Sequence, residues 1–182
     1  HGHDDHEHGH GDAHGHDDHG HGHAGPFLPY WERLFYGVVG VASVGLAGVV
    51  AFANVVPYVL GSLATEGGLA PVVQTAYKWM AAGHVSVDLA FRLDALSAMM
   101  LSFVTFVGTL IHVYSVGYLQ DEEGYGRYFA FLNLFMFAML TLVLASSLPV
   151  LFIGWEGVGL CSYLLIGYYY DKDFAHQAGK KA

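Results

Sequence analysis

Residues 148–170 read LPVLFIGWEGVGLCSYLLIGYYY. Crossing the hydrocarbon core of a bilayer takes about 20 apolar residues, and this run is long enough to do so. It holds one charged side chain, Glu156. At about 1.5 Å of rise per residue, Glu156 is expected roughly 12 Å into the span, near the middle of a core about 30 Å thick. A charged group there costs on the order of 3 kcal/mol on insertion scales. A leucine would avoid that cost, so the acid is read as functional. Burial and a nearby cation pull a carboxyl in opposite directions, so it can change protonation when its partner moves. That is the physics of a proton relay. Around it, Gly157 and Cys161 form a small-xxx-small pair that invites another helix. Ser162 and Tyr163 bring hydroxyls, and Tyr163 lies one heptad from Glu156, on roughly the same face.

Working backwards along the chain, three more runs have the same character. Leu34 to Leu60 is apolar but for Ser43 and Asn54, and Pro57 is expected to kink or end it. Further spans are expected over 93–116 and 128–145, with a tight Ser146-Ser147-Leu148-Pro149 turn before the last. Asp94 opens the second span as a helix N-cap. Between the first two spans, Val85, Val87, Leu89 and Phe91 alternate with polar or small residues, the pattern of a short strand or hairpin.

Composition agrees. The 182 residues are 54% hydrophobic and 13% charged, against roughly 25% charged for a globular chain, and the mean hydropathy is +0.40. A soluble catalytic domain is excluded. The net charge of −9 is largely the work of the first 23 residues, which hold six acids and no Lys or Arg. With no basic patch, nucleic acid is not a partner. A single cysteine, Cys161, excludes a disulfide framework and a four-cysteine cluster. The fold class is therefore an all-α membrane protein with about four transmembrane helices. Its organisation is a disordered His-rich loop or tail (1–25), a first span with a Tyr30-Trp31-Arg33 interfacial anchor (26–60), an extramembrane loop (61–92), three transmembrane helices (93–170) and a cytoplasmic segment (171–182). Arg33, Arg127, Lys172, Lys180 and Lys181 fall on one side and Lys78 and Arg92 on the other, which puts both ends in the cytoplasm.

The first 25 residues hold ten of the thirteen histidines: His1, His3, His6, His8, His10, His14, His16, His19, His21 and His23. Imidazole beside carboxylate binds Zn, Ni or Cu loosely, and a solvated spacer that chelates non-specifically accounts for the pattern. A tail buffering metal for a transporter is the rival. His112, in the second span, is a candidate for a proton path, with a satisfied interior histidine as the plainer reading. Asp121, Glu122 and Glu123 read as a solvated turn. No GxGxxG after a strand, P-loop, HExxH or nucleophilic triad is present, so no site for NADH, flavin or ATP is expected.

The stretch Arg92–Tyr170 resembles the antiporter-like subunit L of proton-pumping NADH:quinone oxidoreductase, respiratory complex I. The resemblance rests on GWEGVGLCSYLLIG at Gly154–Gly167, on Leu93-Asp94-Ala95-Leu96-Ser97, and on Ile111-His112-Val113-Tyr114-Ser115 followed by Glu122-Glu123-Gly124-Tyr125 and Arg127-Tyr128-Phe129. It implies that Glu156 is the acid that pairs with a lysine on a later helix, in proton translocation driven by electron transfer elsewhere. NADH, FMN, iron–sulfur clusters and quinone would then belong to partner subunits, with no cofactor in this chain. The partners would be the other membrane subunits and the lipid of the cell inner (plasma) membrane. The chain begins at His1 and reads as an internal piece of a larger polytopic subunit that would not pump alone. A monovalent-cation/proton antiporter subunit or a membrane-bound hydrogenase subunit of the same fold is the alternative. A His-rich metal-binding or transport protein is a third.

Overall fold

The computed structural model describes residues 29–65, 70–83, 85–120, 122, 124–169, 177–178 and 180–181. The His-rich segment and its ten histidines lie outside them. Four helices dominate: α1 (Tyr30–Ala64), α2 (Ala95–Tyr118), α3 (Tyr125–Leu144) and α4 (Leu148–Ile166). All four are long and apolar enough to cross a membrane. They are connected in antiparallel fashion. Arg33 at the start of α1 donates to the Gln120 carbonyl just past α2, and a Cβ on Gly37 would lie 2.5 Å from the Tyr125 hydroxyl at the start of α3.

α1 runs through Pro57 to Ala64, so the proline does not end the helix at Leu60. Proline removes one backbone donor and costs a hydrogen bond, yet a chain in lipid has no better alternative than to stay helical. The alternating stretch is the second strand of a hairpin. β1 (Val72–Ala82) pairs antiparallel with β2 (Val85–Leu93), with irregularities between Thr75 and Tyr77 and between Lys78 and Met80. Gly83, in the tight turn between them, has φ +60°, a conformation that glycine adopts without a Cβ penalty. The hairpin is fastened to the α3–α4 turn: Ser146 N–H donates to Ala90 C=O at 3.2 Å, and Phe91 bridges to Ala145. It therefore fixes where α4 begins.

Asp94 caps α2 as expected, in a full capping box. Its Oδ1 accepts from Ser97 N–H at 2.9 Å, and its own N–H donates to Ser97 Oγ at 2.7 Å. The Ser97 N–H bond, partly opposed by desolvation and assisted by the Ser97 hydroxyl and Arg92, holds the Asp94 carboxyl below its ordinary value. A lowered value stabilises the fold above the usual carboxyl range and loses that contribution as pH falls through it. Asp94→Ala is expected to cost about 1 kcal/mol, and Asp94→Asn very little. Thermal unfolding of the full-length protein checks this, and the wild-type advantage over Asp94→Ala should shrink below about pH 4.

Inside, two apolar clusters sit toward opposite ends. Ala51, Val55, Tyr58, Ala98 and Leu101 form one, and Leu119, Tyr125 and Phe129 form the other. Between them the buried face of α2 carries Thr105, Gly108, His112 and Ser115. The two hydroxyls bond back to carbonyls one turn earlier, Thr105 to Leu101 at 2.7 Å and Ser115 to Ile111 at 2.8 Å, which is how hydroxyls are satisfied inside membrane helices.

Candidate functional site

α4 meets α3 through its small residues. A Cβ on Gly154 would lie 2.6 Å from Leu142 N and 2.7 Å from its Cα, and one on Gly157 would lie 3.0 Å from Ala138 Cβ. Cys161, the next small residue along this face, is 0% exposed, in keeping with a packing role. At about 100° per residue these three positions share one face, and Glu156 falls well away from it. Glu156 is exposed among the described helices. The burial expected from its depth in the span is thus not supplied by α1–α3, because α4 spends its glycine face on α3 and turns the acid outward. No hydrogen bond or ion pair to Glu156 occurs among the described residues. Tyr163, 46% exposed, shares its face two turns on. Ser162 does not join them, since its Oγ donates to Val158 C=O at 2.9 Å.

His112 is elsewhere. It is 0% exposed, its Nδ1 lies 2.8 Å from Gly108 C=O, and its ring sits edge-on to Phe129 with centroids 6.2 Å apart. Its Nε2 is buried without a hydrogen-bond partner among the described residues, and such an unmade bond costs about 1–3 kcal/mol. The four named candidates therefore form no single site: Glu156 and Tyr163 face outward on α4, Ser162 is tied to its own helix, and His112 is enclosed beside α3.

Two polar features escaped the sequence reading. Ser43 Oγ on α1 donates to Asn133 Oδ1 on α3 at 2.6 Å, although Ser43 reads only as an interruption of an apolar run. Glu122, read as part of a solvated turn, accepts from Tyr169 OH at 3.0 Å. Nearby, Arg127 donates to Tyr168 C=O at 3.3 Å and lies 5.2 Å from the Tyr168 ring centroid. No local spacing signals contacts between residues 47 or 41 positions apart. No group of three or more His, Cys, Asp or Glu suited to a metal occurs among the described residues.

Four helices long and apolar enough to cross a membrane make the described part of the chain a multi-pass membrane protein. Residues 79–129 match the family model described as NADH-ubiquinone oxidoreductase (complex I), chain 5 N-terminus. Residues 145–182 match that described as NADH:quinone oxidoreductase/Mrp antiporter, TM. NADH-quinone oxidoreductase subunit L of Escherichia coli K12 is 45% identical over 153 residues, which is 84% of this chain and 24% of that protein. The subunit L of Pseudomonas aeruginosa is 45% identical over 84% of this chain, and that of Mycobacterium tuberculosis is 42% identical over 76%. The chain corresponds to part of a subunit L of NADH-quinone oxidoreductase. It spans about a quarter of the length of these relatives.

Proposed function

We propose that this chain is the part of a proton-translocating subunit, in a membrane NADH:quinone oxidoreductase, that carries the relay acid Glu156. Quinone reduction elsewhere in the complex drives proton transfer through this carboxyl. The observation that carries the reading is the placement of Glu156. It is the only acid beyond the first turn of any of the four helices, and it sits on the side of α4 turned from α3, with Tyr163 two turns along the same face. A carboxylate in hydrocarbon needs a counter-charge or a proton. Since α1–α3 offer neither, the counter-charge comes from a helix outside them, a lysine by the family resemblance. Movement of that cation relative to the carboxyl shifts the proton.

The other membrane subunits of the complex are the partners, and the redox cofactors reside in subunits other than this one. By the Lys and Arg distribution, the end of the bundle holding Arg33 and Arg127 faces the cytoplasm, across the cell inner membrane. Redox-driven proton pumping by the assembled complex with Glu156→Gln tests the proposal. Deleting residues 1–25 is expected to leave that pumping within about twofold of wild type, as for a solvated spacer. Loss of pumping in an intact complex would give the His-rich segment a working role.

A second reading has one observation in its favour: the model matching residues 145–182 also covers Mrp antiporters. Ion dependence separates the two. Proton pumping that persists without sodium supports the oxidoreductase reading, and strict dependence on a monovalent cation supports the antiporter.

A further inference from the structure

A cleft of about 580 Å³ lies where α1, α3 and the hairpin meet. Leu46, Val50 and Ala51 of α1, Leu101 of α2, and Leu140 and Leu144 of α3 give it aliphatic walls. Ala51 and Leu101 are buried at its floor, while Leu46 and Val50 are 65% and 54% exposed at its lip, so the cleft opens sideways. The polar side chains of α1 beside it are spent locally. Ser43 bonds to Asn133, and Asn54 Nδ2 donates to Val50 C=O at 2.8 Å. Val72, Gln74, Phe91 and Leu93 share one face of the hairpin, by the pairs Val72–Leu93 and Gln74–Phe91, and they roof one end. Arg92 borders the cleft as well.

Its dimensions decide what can fill it. The cleft runs along α1 from Ser43, whose partner Asn133 stands near the middle of α3, to Asn54. That stretch of helix is about 16 Å long. It is about half of a hydrocarbon core about 30 Å thick, which is the depth of one leaflet. The volume spread over that length leaves a mean section of about 36 Å², a gap about 6 Å across. An α-helix with its side chains is about 10–12 Å wide, so no helix enters. Non-bonded carbons touch at about 3.5–4.0 Å, so a polymethylene chain fits with room to bend. Water would find almost nothing to bond along the aliphatic walls.

We propose that this cleft is a phospholipid site, with one acyl chain lying between α1 and α3 under the hairpin and the lipid phosphate resting on Arg92. The Arg92 side chain is 47% exposed, and its Nε lies 3.2 Å from Asp94 Oδ2. The two terminal nitrogens, which hold four of the five guanidinium donors, have no other partner among the described residues. A planar fork of this kind matches two phosphate oxygens, and basic pockets between transmembrane helices are where lipid headgroups dock. Asp94 offsets much of the Arg92 charge, so the site reads the phosphate rather than the net charge of the headgroup. Zwitterionic and anionic phospholipids therefore bind alike. The lipid belongs to the joint between α1, α3 and the hairpin, the same joint that sets the start of α4.

The test is photolabelling of the full-length protein in its assembled complex, in vesicles that contain phosphatidylethanolamine with a diazirine on its acyl chain. Peptide mass spectrometry then locates the adducts. Residues 46–50 and 140–144 are expected to carry roughly fivefold more label than Phe106 and Leu110, which are exposed on α2 away from the cleft. Phosphatidylglycerol with the same chain should label them within about threefold of this. Ala47 lines the cleft, and Ala47→Phe, which puts a ring into it, is expected to lower the cleft label roughly tenfold while Phe106 and Leu110 keep theirs. Ala47→Leu is a milder filler if the first variant does not assemble. Arg92→Gln leaves the slot and removes the charged fork, and should also lower the label roughly tenfold. Glu156→Gln should leave the pattern unchanged, so this proposal and the Glu156 relay fail separately. Cleft labelling no higher than that of Phe106 and Leu110, as when more of the longer subunit covers the cleft, overturns the proposal. So does labelling that the Ala47 filler or Arg92→Gln leaves at the wild-type level, the mark of ordinary boundary lipid.

Discussion

Glu156→Gln in the full-length subunit is expected to lower redox-driven proton pumping by roughly a hundredfold, the low end of what one positioned proton-transfer group contributes. Assembly should survive. The amide has nearly the same shape and volume as the carboxyl, and α4 holds itself to α3 through Gly154, Gly157 and Cys161 rather than through the acid. What the substitution removes is the ability to carry a proton and to attract a cation. Glu156→Asp keeps both, with a shorter reach, and should retain an intermediate rate. The measurement is proton uptake per quinone reduced, in vesicles holding the assembled complex. Wild-type pumping in an intact Glu156→Gln complex rejects the relay.

Gly154→Ala is expected to have the largest effect on stability. The added methyl would stand 2.6–2.7 Å from backbone atoms of Leu142, and backbone cannot rotate aside as a side chain does. Overpacking costs about 1–3 kcal/mol, occasionally more, and a clash with backbone belongs at the upper end. The helices would have to separate, carrying with them the hairpin-anchored turn at Ser146. Gly159→Ala supplies the contrast. Among the described residues nothing lies within 4 Å of a Cβ there, so alanine's higher helix propensity should make it neutral or stabilising by up to about 1 kcal/mol. Thermal unfolding of the two variants in the same detergent decides the matter. Equal behaviour would mean that α3 and α4 do not pack as described.

The sequence shows where the helices are far better than how they face. Length and apolarity locate all four spans. The position of Asp94 at the opening of the second span reveals the cap, and the alternation over Val85–Phe91 reveals a strand. Orientation about each axis is another matter. A helix that is apolar all round has no polar face to mark its exposed side, and α4 is of this kind. Gly154, Gly157 and Gly159 look alike in the sequence, yet the first packs against backbone, the second against a methyl and the third against nothing. The direction of Glu156 follows from that choice, so its exposure was hidden too. Likewise, Ser43 and Asn133 become partners only once α1 and α3 are side by side.

The proton carried by the Glu156 carboxyl is the quantity to observe directly. Infrared difference spectra of the assembled full-length complex, recorded as quinone is reduced, report carboxyl protonation through its C=O stretch. A relay at Glu156 requires a carboxyl band that changes during turnover and is missing from Glu156→Gln. Wild-type and Glu156→Gln spectra that coincide throughout the carboxyl region would contradict it.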